Sequence, residues 1–107
     1  MVRAPQYTLV YDEDFARQLS YVPKRCLSLI EHEILEHLQF LPTQDSKNNK
    51  ALRIPNSVFA TRELRIGDKN EFRVFYVVEE SLKEVQILAI GIKIRNILTI
   101  GGQEVVL

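Results

Sequence analysis

The stretch ELRIGDKNEFRVFY, residues 63 to 76, constrains the fold more than any other part of the sequence. Apolar and polar residues alternate on both sides of GDKN, residues 67 to 70, which are residue types that favour turns. This pattern predicts a hairpin of two antiparallel strands. Its polar side carries Arg65 and Arg73, although any hydrophilic residue would keep such a face hydrated. Arginine can bind a phosphate or a carboxylate through two parallel hydrogen bonds, so both positions are candidates for a binding site.

Two helices are predicted before the hairpin. A short strand is expected at residues 7 to 11, and Asp12 offers an N-cap for a helix through Leu19. Pro23 opens a longer helix, because the first turn leaves the N–H that proline lacks unpaired in any case. Pro42 ends that helix. Its apolar residues recur at steps of three and four and form one stripe, which consists of Cys26, Leu27, Ile30, Ile34, Leu38 and Leu41.

The rest of the chain favours strands. The segment TQDSKNNK, residues 43 to 50, predicts a polar loop, and strands are expected at 58–66, 72–79 and 84–92. A last hairpin, NILTIGGQEVVL, turns at its two glycines. Helices followed by antiparallel strands predict an α+β fold with two N-terminal helices packed on one face of an antiparallel sheet. The 107 residues are enough for one domain, spanning 1–107.

The composition is that of an ordinary globular protein, with 46% apolar and 26% charged residues. No apolar run approaches the roughly 20 residues of a membrane helix, and the opening MVRAPQY lacks the apolar stretch of a signal peptide. The single cysteine suits a reducing compartment, so a cytoplasmic protein is expected. The formal net charge is zero, but residues 1–46 carry seven acidic and four basic side chains, whereas residues 47–107 carry seven acidic and ten basic ones. A local basic patch is therefore expected in the second part.

The segment HEILEH, residues 32 to 37, comes close to two zinc-protease helix motifs and matches neither. One motif requires a histidine at Glu36 and the other requires one at Glu33. His32 and His37 also lie about 140° apart around a helix, so they cannot share a metal ion. Cys26 falls on the apolar stripe, where burial is the ordinary fate of a thiol. We expect no metal site and no cofactor.

The basic residues of the second part are the remaining candidates: Lys47, Lys50, Arg53, Arg62, Arg65, Arg73, Lys93 and Arg95. Charged residues on strands often do no more than keep one face hydrated, and that interpretation stays open. The alternation nevertheless puts Leu64 and Tyr76 towards the core, so that Arg65, Arg73 and Phe75 point to the outer face. Arginines beside an exposed aromatic ring favour a nucleic-acid or protein partner.

The order of these residues resembles the toxins of the RelE/ParE superfamily of type II toxin–antitoxin systems. The matching patterns are L-R-x-G and F-R-V-x-Y within ELRIGDKNEFRVFYVV, and I-x-x-I-G-x-K-x-R within VQILAIGIKIR. The resemblance covers nearly the whole chain and implies a RelE-like fold similar to that of microbial ribonucleases. It also implies a metal-independent endoribonuclease that cuts messenger RNA in the ribosomal A site, where the ribose 2′-hydroxyl attacks the adjacent phosphate. The partners implied are messenger RNA, the ribosome and a cognate antitoxin.

The resemblance also implies roles for individual residues. Arg73 matches the arginine of the R-V-x-Y strand, which in that family contacts the scissile phosphate, and Arg65 matches the basic position of the preceding strand. Lys93 and Arg95 match the basic residues that follow I-G. The expected catalytic residues are therefore Arg73, Arg65, Arg95 and Lys93. The residues expected to bind RNA are Lys50, Arg53, Arg62 and Phe75.

A second function stays open because of one departure from the family pattern. The nucleases often carry a tyrosine or histidine after the position of Arg95, and this chain has neither. Tyr76 has the parity of a core residue and is not expected to replace it. The alternative is a ParE-like inhibitor of DNA gyrase, which needs no acid–base residue, or a catalytically degenerate member that only binds an antitoxin. No membrane partner is expected under either function.

Overall fold

The structure is a computed structural model that describes residues 4–52 and 59–106. Strands and helices follow one another along the chain in the order predicted, with one short strand and two 3₁₀ turns in addition. The elements are β1 (Thr8–Tyr11), α1 (Phe15–Leu19), a 3₁₀ turn (Lys24–Cys26), α2 (Leu27–Leu38), β2 (Asn49–Ala51), β3 (Arg62–Ile66), β4 (Phe72–Glu79), a second 3₁₀ turn (Glu80–Leu82), β5 (Glu84–Ile94), β6 (Ile97–Ile100) and β7 (Gln103–Val105).

The seven strands form one sheet. Strands β2 to β7 lie side by side in chain order and pair antiparallel, whereas β1 pairs parallel with the first part of β5. The α+β class and the antiparallel meander are confirmed. The parallel pair was not predicted, because alternation assigns a strand to a face and says nothing about its neighbour.

Strand β5 changes its partner along one edge. Its residues 84–87 pair with β1, and its residues 91–94 pair with β6. Between these stretches the Ile90 N–H donates a hydrogen bond of 2.9 Å to the side-chain oxygen Oε1 of Gln18. Gln18 belongs to α1 and is only 7% exposed. A side chain thus takes the place of a strand where the two partners leave a gap.

The two faces of the sheet bury separate apolar clusters. The first cluster contains Phe15 of α1 and Ile30 of α2, packed with residues of β3, β4 and β5 that include Val74 and Tyr76. The second cluster, which we call the outer cluster, contains Ala60, Phe75, Ala89 and Leu98, with Leu52, Leu88, Ile100 and Val105 packed against it. Tyr76 is fully buried, as the alternation predicted.

Several predicted boundaries were wrong. Helix α2 ends at Leu38, so Leu41 does not continue the stripe and is 50% exposed. Asp14, not Asp12, occupies the N-cap position of α1. The strand expected at 58–66 begins at Arg62, and residue 58 lies outside the described residues. None of the helices in the described part of the chain is long and apolar enough to cross a membrane.

The segment expected to be a polar loop contains β2. Asn49 begins this strand and is 2% exposed, because its side-chain oxygen accepts hydrogen bonds from Tyr76 and Arg62. The buried asparagine is therefore satisfied by partners on β3 and β4. A polar residue in a polar segment gives no sequence signal for such burial, and for this reason the strand was missed.

Candidate functional site

Arg65 and Arg73 are direct partners across the β3–β4 hairpin. Both guanidinium groups bind the same oxygen of Glu63: Arg65 Nε lies 2.8 Å and Arg73 Nη1 lies 3.3 Å from Glu63 Oε1. Arg73 Nε also donates to the backbone oxygen of Asn70 at 2.8 Å, which ties it to the turn of the hairpin. The prediction that the hairpin presents both arginines on one face is confirmed.

The three side chains of this cluster differ in their exposure. The side chain of Glu63 is 5% exposed, that of Arg73 is 11% exposed and that of Arg65 is 29% exposed. Burial lowers the pKa of Arg73, and the neighbouring charge of Arg65 lowers it further, whereas Glu63 acts in the opposite direction. Arginine keeps its charge at neutral pH even so. Two cations sharing one carboxylate leave the cluster with one positive charge in excess.

A groove of about 380 Å³ opens beside this cluster, and we call it the sheet groove. It brings Lys93 of β5 to the same site as the two arginines, together with the acidic residue Glu104 of β7. The described residues that line it are Leu52, Glu63, Arg65, Arg73, Phe75, Lys93, Asn96, Leu98, Glu104, Val105 and Val106. The sheet groove therefore joins three cations, two carboxylates and an apolar floor.

Arg95 is not among the lining residues of the sheet groove. It lies in the turn between β5 and β6 with a φ of 57°, and its side chain is exposed. Of the four residues expected to be catalytic, the structure thus brings together Arg65, Arg73 and Lys93 and places the fourth outside their groove.

The prediction that Phe75 is exposed was wrong. Its ring is 0% exposed, since it packs in the outer cluster with residues such as Ala89 and Leu98. The alternation gave its face correctly, but that face is covered by residues of the last hairpin and of the segment before β3. A buried ring cannot stack on a base, so Phe75 supports the floor of the groove and offers no RNA-binding surface in this conformation.

Arg62 lies on the face opposite to Arg65 and Arg73. Its Nη2 donates to Asp45 at 2.5 Å, and its Nε lies 3.3 Å from Asn49 Oδ1 and 3.4 Å from Tyr76 Oη. Burial would lower the pKa of Arg62, but the hydrogen bonds to Asp45 and Tyr76 outweigh it and raise the pKa. Its 12% exposed side chain links the segment before β2 to the sheet, which is a structural role, and the expectation that it binds RNA stays a prediction.

The other sequence candidates lie at the margin of the site or away from it. Lys50 of β2 is exposed and lies opposite Glu63 in the β2–β3 register, so it shares the outer face without lining the groove. Arg53 lies outside the described residues. His37 binds Glu33 on the same helix at 2.8 Å. Within residues 4–52 and 59–106, no three potential metal-ligating side chains cluster together.

Sequence reasoning missed Glu63, the residue that holds the two arginines. The signal was present, because Glu63 points to the same face of β3 as Arg65. Its partner in the β3–β4 register is Phe75, two residues along β4 from Arg73. A carboxylate on the polar side of a strand is ordinarily hydrated, so its residue type did not mark it as buried. Carboxylates are rarely buried unless paired, and here two arginines provide that pairing.

The fold is similar to that of a known complex. One chain of the toxin–antitoxin complex RelBE2 from Mycobacterium tuberculosis matches this structure with a TM-score of 0.66 and 22% sequence identity, over 85% of this chain and 95% of the other. At that identity the likeness shows a shared fold. No protein-family model matches the sequence, and no curated protein is significantly similar to it.

Proposed function

We propose that this chain is the toxin of a type II toxin–antitoxin system and that the sheet groove binds the backbone of messenger RNA for cleavage without a metal ion. The observation that carries the proposal is the direct opposition of Arg65 and Arg73 at a groove that also holds Lys93. The fold shared with a chain of a toxin–antitoxin complex supports it. The partners proposed are a cognate antitoxin, messenger RNA and the ribosome, which places the action in the cytoplasm.

The arrangement suits a reaction in which the ribose 2′-hydroxyl attacks the adjacent phosphate. That attack increases the negative charge on the equatorial phosphate oxygens, and guanidinium groups aimed at them stabilise the transition state. Each guanidinium carries five N–H groups. Their bonds to Glu63 and Asn70 involve Nε of Arg65, and Nε and Nη1 of Arg73. Within the described part of the chain, these bonds leave other N–H groups of the two arginines for a phosphate.

Arg73 is the better positioned of the two arginines. Two contacts fix its guanidinium, to Glu63 and to the backbone of Asn70, and only 11% of its side chain is exposed. A donor that is held in place before the substrate arrives costs little reorganisation at the moment of reaction. Arg65 is more exposed, and in this proposal it binds the RNA backbone.

One observation favours the alternative of a gyrase inhibitor or an inactive antitoxin-binding protein. The described lining of the sheet groove includes neither histidine nor tyrosine, the groups that most readily move protons in such a reaction. Its titratable side chains apart from the arginines are Glu63, Lys93 and Glu104. An inhibitor that acts by surface contact has no need of proton transfer.

Controlled expression in bacteria separates these functions. We expect growth arrest accompanied by cleavage of messenger RNA, mapped by primer extension, with plasmid supercoiling unchanged. A change in supercoiling with intact messages would replace the nuclease by the gyrase inhibitor. Normal growth at a verified level of folded protein would contradict the toxin proposal altogether.

A further inference from the structure

A second groove, of about 470 Å³, lies between α1 and α2, and we call it the helix groove. It shares no lining residue with the sheet groove. Its floor is formed by buried residues of both helices, Phe15, Ile30 and Ile34. Tyr11 and Leu35 stand at its border and remain 44% and 37% exposed. The helix groove is therefore an apolar depression with two accessible large side chains.

The charged residues of the helix groove all have the same sign. They are Asp12, Glu13 and Glu31, each of them exposed, and among the residues that the structure describes no lysine, arginine or histidine belongs to the lining. Burial raises the pKa of Tyr11, and the negative charge of Glu31 raises it further, so the carboxylate acts on the aromatic residue of the groove. An apolar depression with an acidic border favours an occupant that is apolar in the middle and basic at its sides.

The spacing along α2 indicates the shape of that occupant. Its contributions to the groove are Leu27, Ile30, Glu31, Ile34 and Leu35, which recur at steps of three, one, three and one. They span two helical turns, or about 12 Å. A groove of that length between two helices suits a third helix, whose apolar side chains at steps of three and four enter it.

We propose that the helix groove is the docking site for a basic amphipathic helix of a partner protein, whose leucine-like side chains pack on Tyr11 and Leu35 and whose lysines or arginines face Glu13 and Glu31. The inference rests on the proposed function only for the identity of that partner, which would be the antitoxin. The fully buried Phe75 leaves the outer face without the apolar anchor that the sequence predicted there, whereas the helix groove offers one.

The test uses two synthetic helical peptides and the full chain. Each peptide has about 14 residues, near the minimum for an isolated helix in water. Both carry leucine on one face, and the other face is lysine in the first peptide and glutamate in the second. Amide chemical shifts of the labelled protein report the site, and titration gives the affinity. We expect the lysine peptide to change the amide chemical shifts of α1, α2 and Tyr11. We also expect it to bind more tightly than the glutamate peptide.

A charge swap then distinguishes this site from non-specific attraction. The double variant Glu13→Lys/Glu31→Lys should bind the lysine peptide about tenfold more weakly and should gain affinity for the glutamate peptide. The matched control is Glu36→Lys/Asp68→Lys, which makes the same change in net charge at exposed positions outside the groove. Leu35→Gln should weaken binding of both peptides, because it removes apolar contact that they share. Thermal unfolding verifies that each variant is folded.

Equal losses in the groove variant and in the matched control would overturn the proposal, as would shifts confined to another surface. Neither measurement depends on toxicity. Binding at the helix groove without growth arrest would contradict the proposed function and leave the docking site standing. Growth arrest without binding at the helix groove would contradict the docking site and leave the proposed function standing.

Discussion

Arg65 and Arg73 face each other across β3 and β4 and are held together by one carboxylate, that of Glu63. Like charges on directly opposed positions of a sheet destabilise it. The buried glutamate offsets that repulsion by binding both guanidinium groups through a single oxygen. In the proposed function the substrate phosphate would bind other N–H groups of the two arginines, so Glu63 competes with it for their positive charge and not for the same donors.

Glu63→Gln tests this competition. An amide cannot neutralise the arginines, so the variant should lose stability, by up to about 3 kcal/mol given that solvent partly screens Arg65. The two arginines should then bind an added anion. Inorganic phosphate at millimolar concentration should raise the melting temperature of the variant by more than that of the wild type, because a ligand that binds the native state stabilises it.

Glu104→Gln is the matched control for this prediction. It makes the same chemical change at the exposed carboxylate of the same groove. We expect little change in stability and no greater response to phosphate than in the wild type. An equal response of both variants to phosphate would show that overall charge, and not the arginine pair, governs binding.

Arg73→Ala should abolish growth arrest in the proposed nuclease. Loss of one donor aimed at the developing charge typically lowers the rate about 10²–10³-fold. Arg73→Lys should restore activity only in part, since an ammonium group cannot reproduce the planar contact of a guanidinium. Arg65→Ala should have a smaller effect, because in the proposed function Arg65 binds the RNA backbone and Arg73 the reacting phosphate. Message cleavage and colony counts provide the measurements.

The Arg73→Ala variant needs a control for stability. The side chain of Arg73 is nearly buried and binds Glu63, so its removal also costs stability. Thermal unfolding must accompany each activity assay. Arg25→Ala removes the same charge from an exposed position of the first 3₁₀ turn and should leave growth arrest unchanged. A folded Arg73→Ala variant that arrests growth like the wild type would leave the arginine pair with a structural role alone.

The alternation of β3 and β4 could be predicted from the sequence because it depends on local geometry. Successive side chains of a strand point to opposite faces, so the faces of Arg65, Arg73 and Tyr76 followed once the strands were assigned. The order of helices and strands followed from apolar periodicity and from the positions of Pro23 and Pro42.

The remaining features depend on residues distant in the chain. Phe75 was assigned to the correct face, but its burial requires the last hairpin and the segment before β3 to fold over it. The burial of Asn49 and Glu63 depends on partners that only the tertiary structure supplies. Polar residues are usually exposed, and a single sequence does not indicate which of them are exceptions.

Gln18→Met should destabilise the protein through a single backbone group. Methionine has a similar length but no comparable acceptor, so the buried Ile90 N–H would lose its partner. An unsatisfied buried donor costs about 1–3 kcal/mol. Urea unfolding should show this loss, and hydrogen exchange at Ile90 should be faster. Gln86→Met makes the same change at a half-buried position of β5 and should cost less. Equal losses in both variants would mean that Gln18 contributes only its packing.

Tyr76→Phe should lower stability, and the size of the loss should depend on pH. The hydroxyl lies 2.6 Å from both the Pro42 oxygen and Asn49 Oδ1, so its removal should cost about 1–2 kcal/mol at neutral pH. Burial raises the pKa of Tyr76, although Arg62 and Asn49 partly oppose the effect. Above about pH 10, the unfolded wild type therefore releases this proton while the folded protein retains it.

The free energy of unfolding of the wild type should consequently fall as pH rises through that range, and the phenylalanine variant should lack this part of the decline. Tyr7 and Tyr11 also have raised pKa values, but both proteins contain them and their contributions cancel in the comparison. Urea titrations from about pH 8 to about pH 11, on either side of the ordinary tyrosine pKa, should show the difference between the two proteins narrowing. A constant difference across that range would show that the Tyr76 hydroxyl titrates alike in the folded and unfolded states.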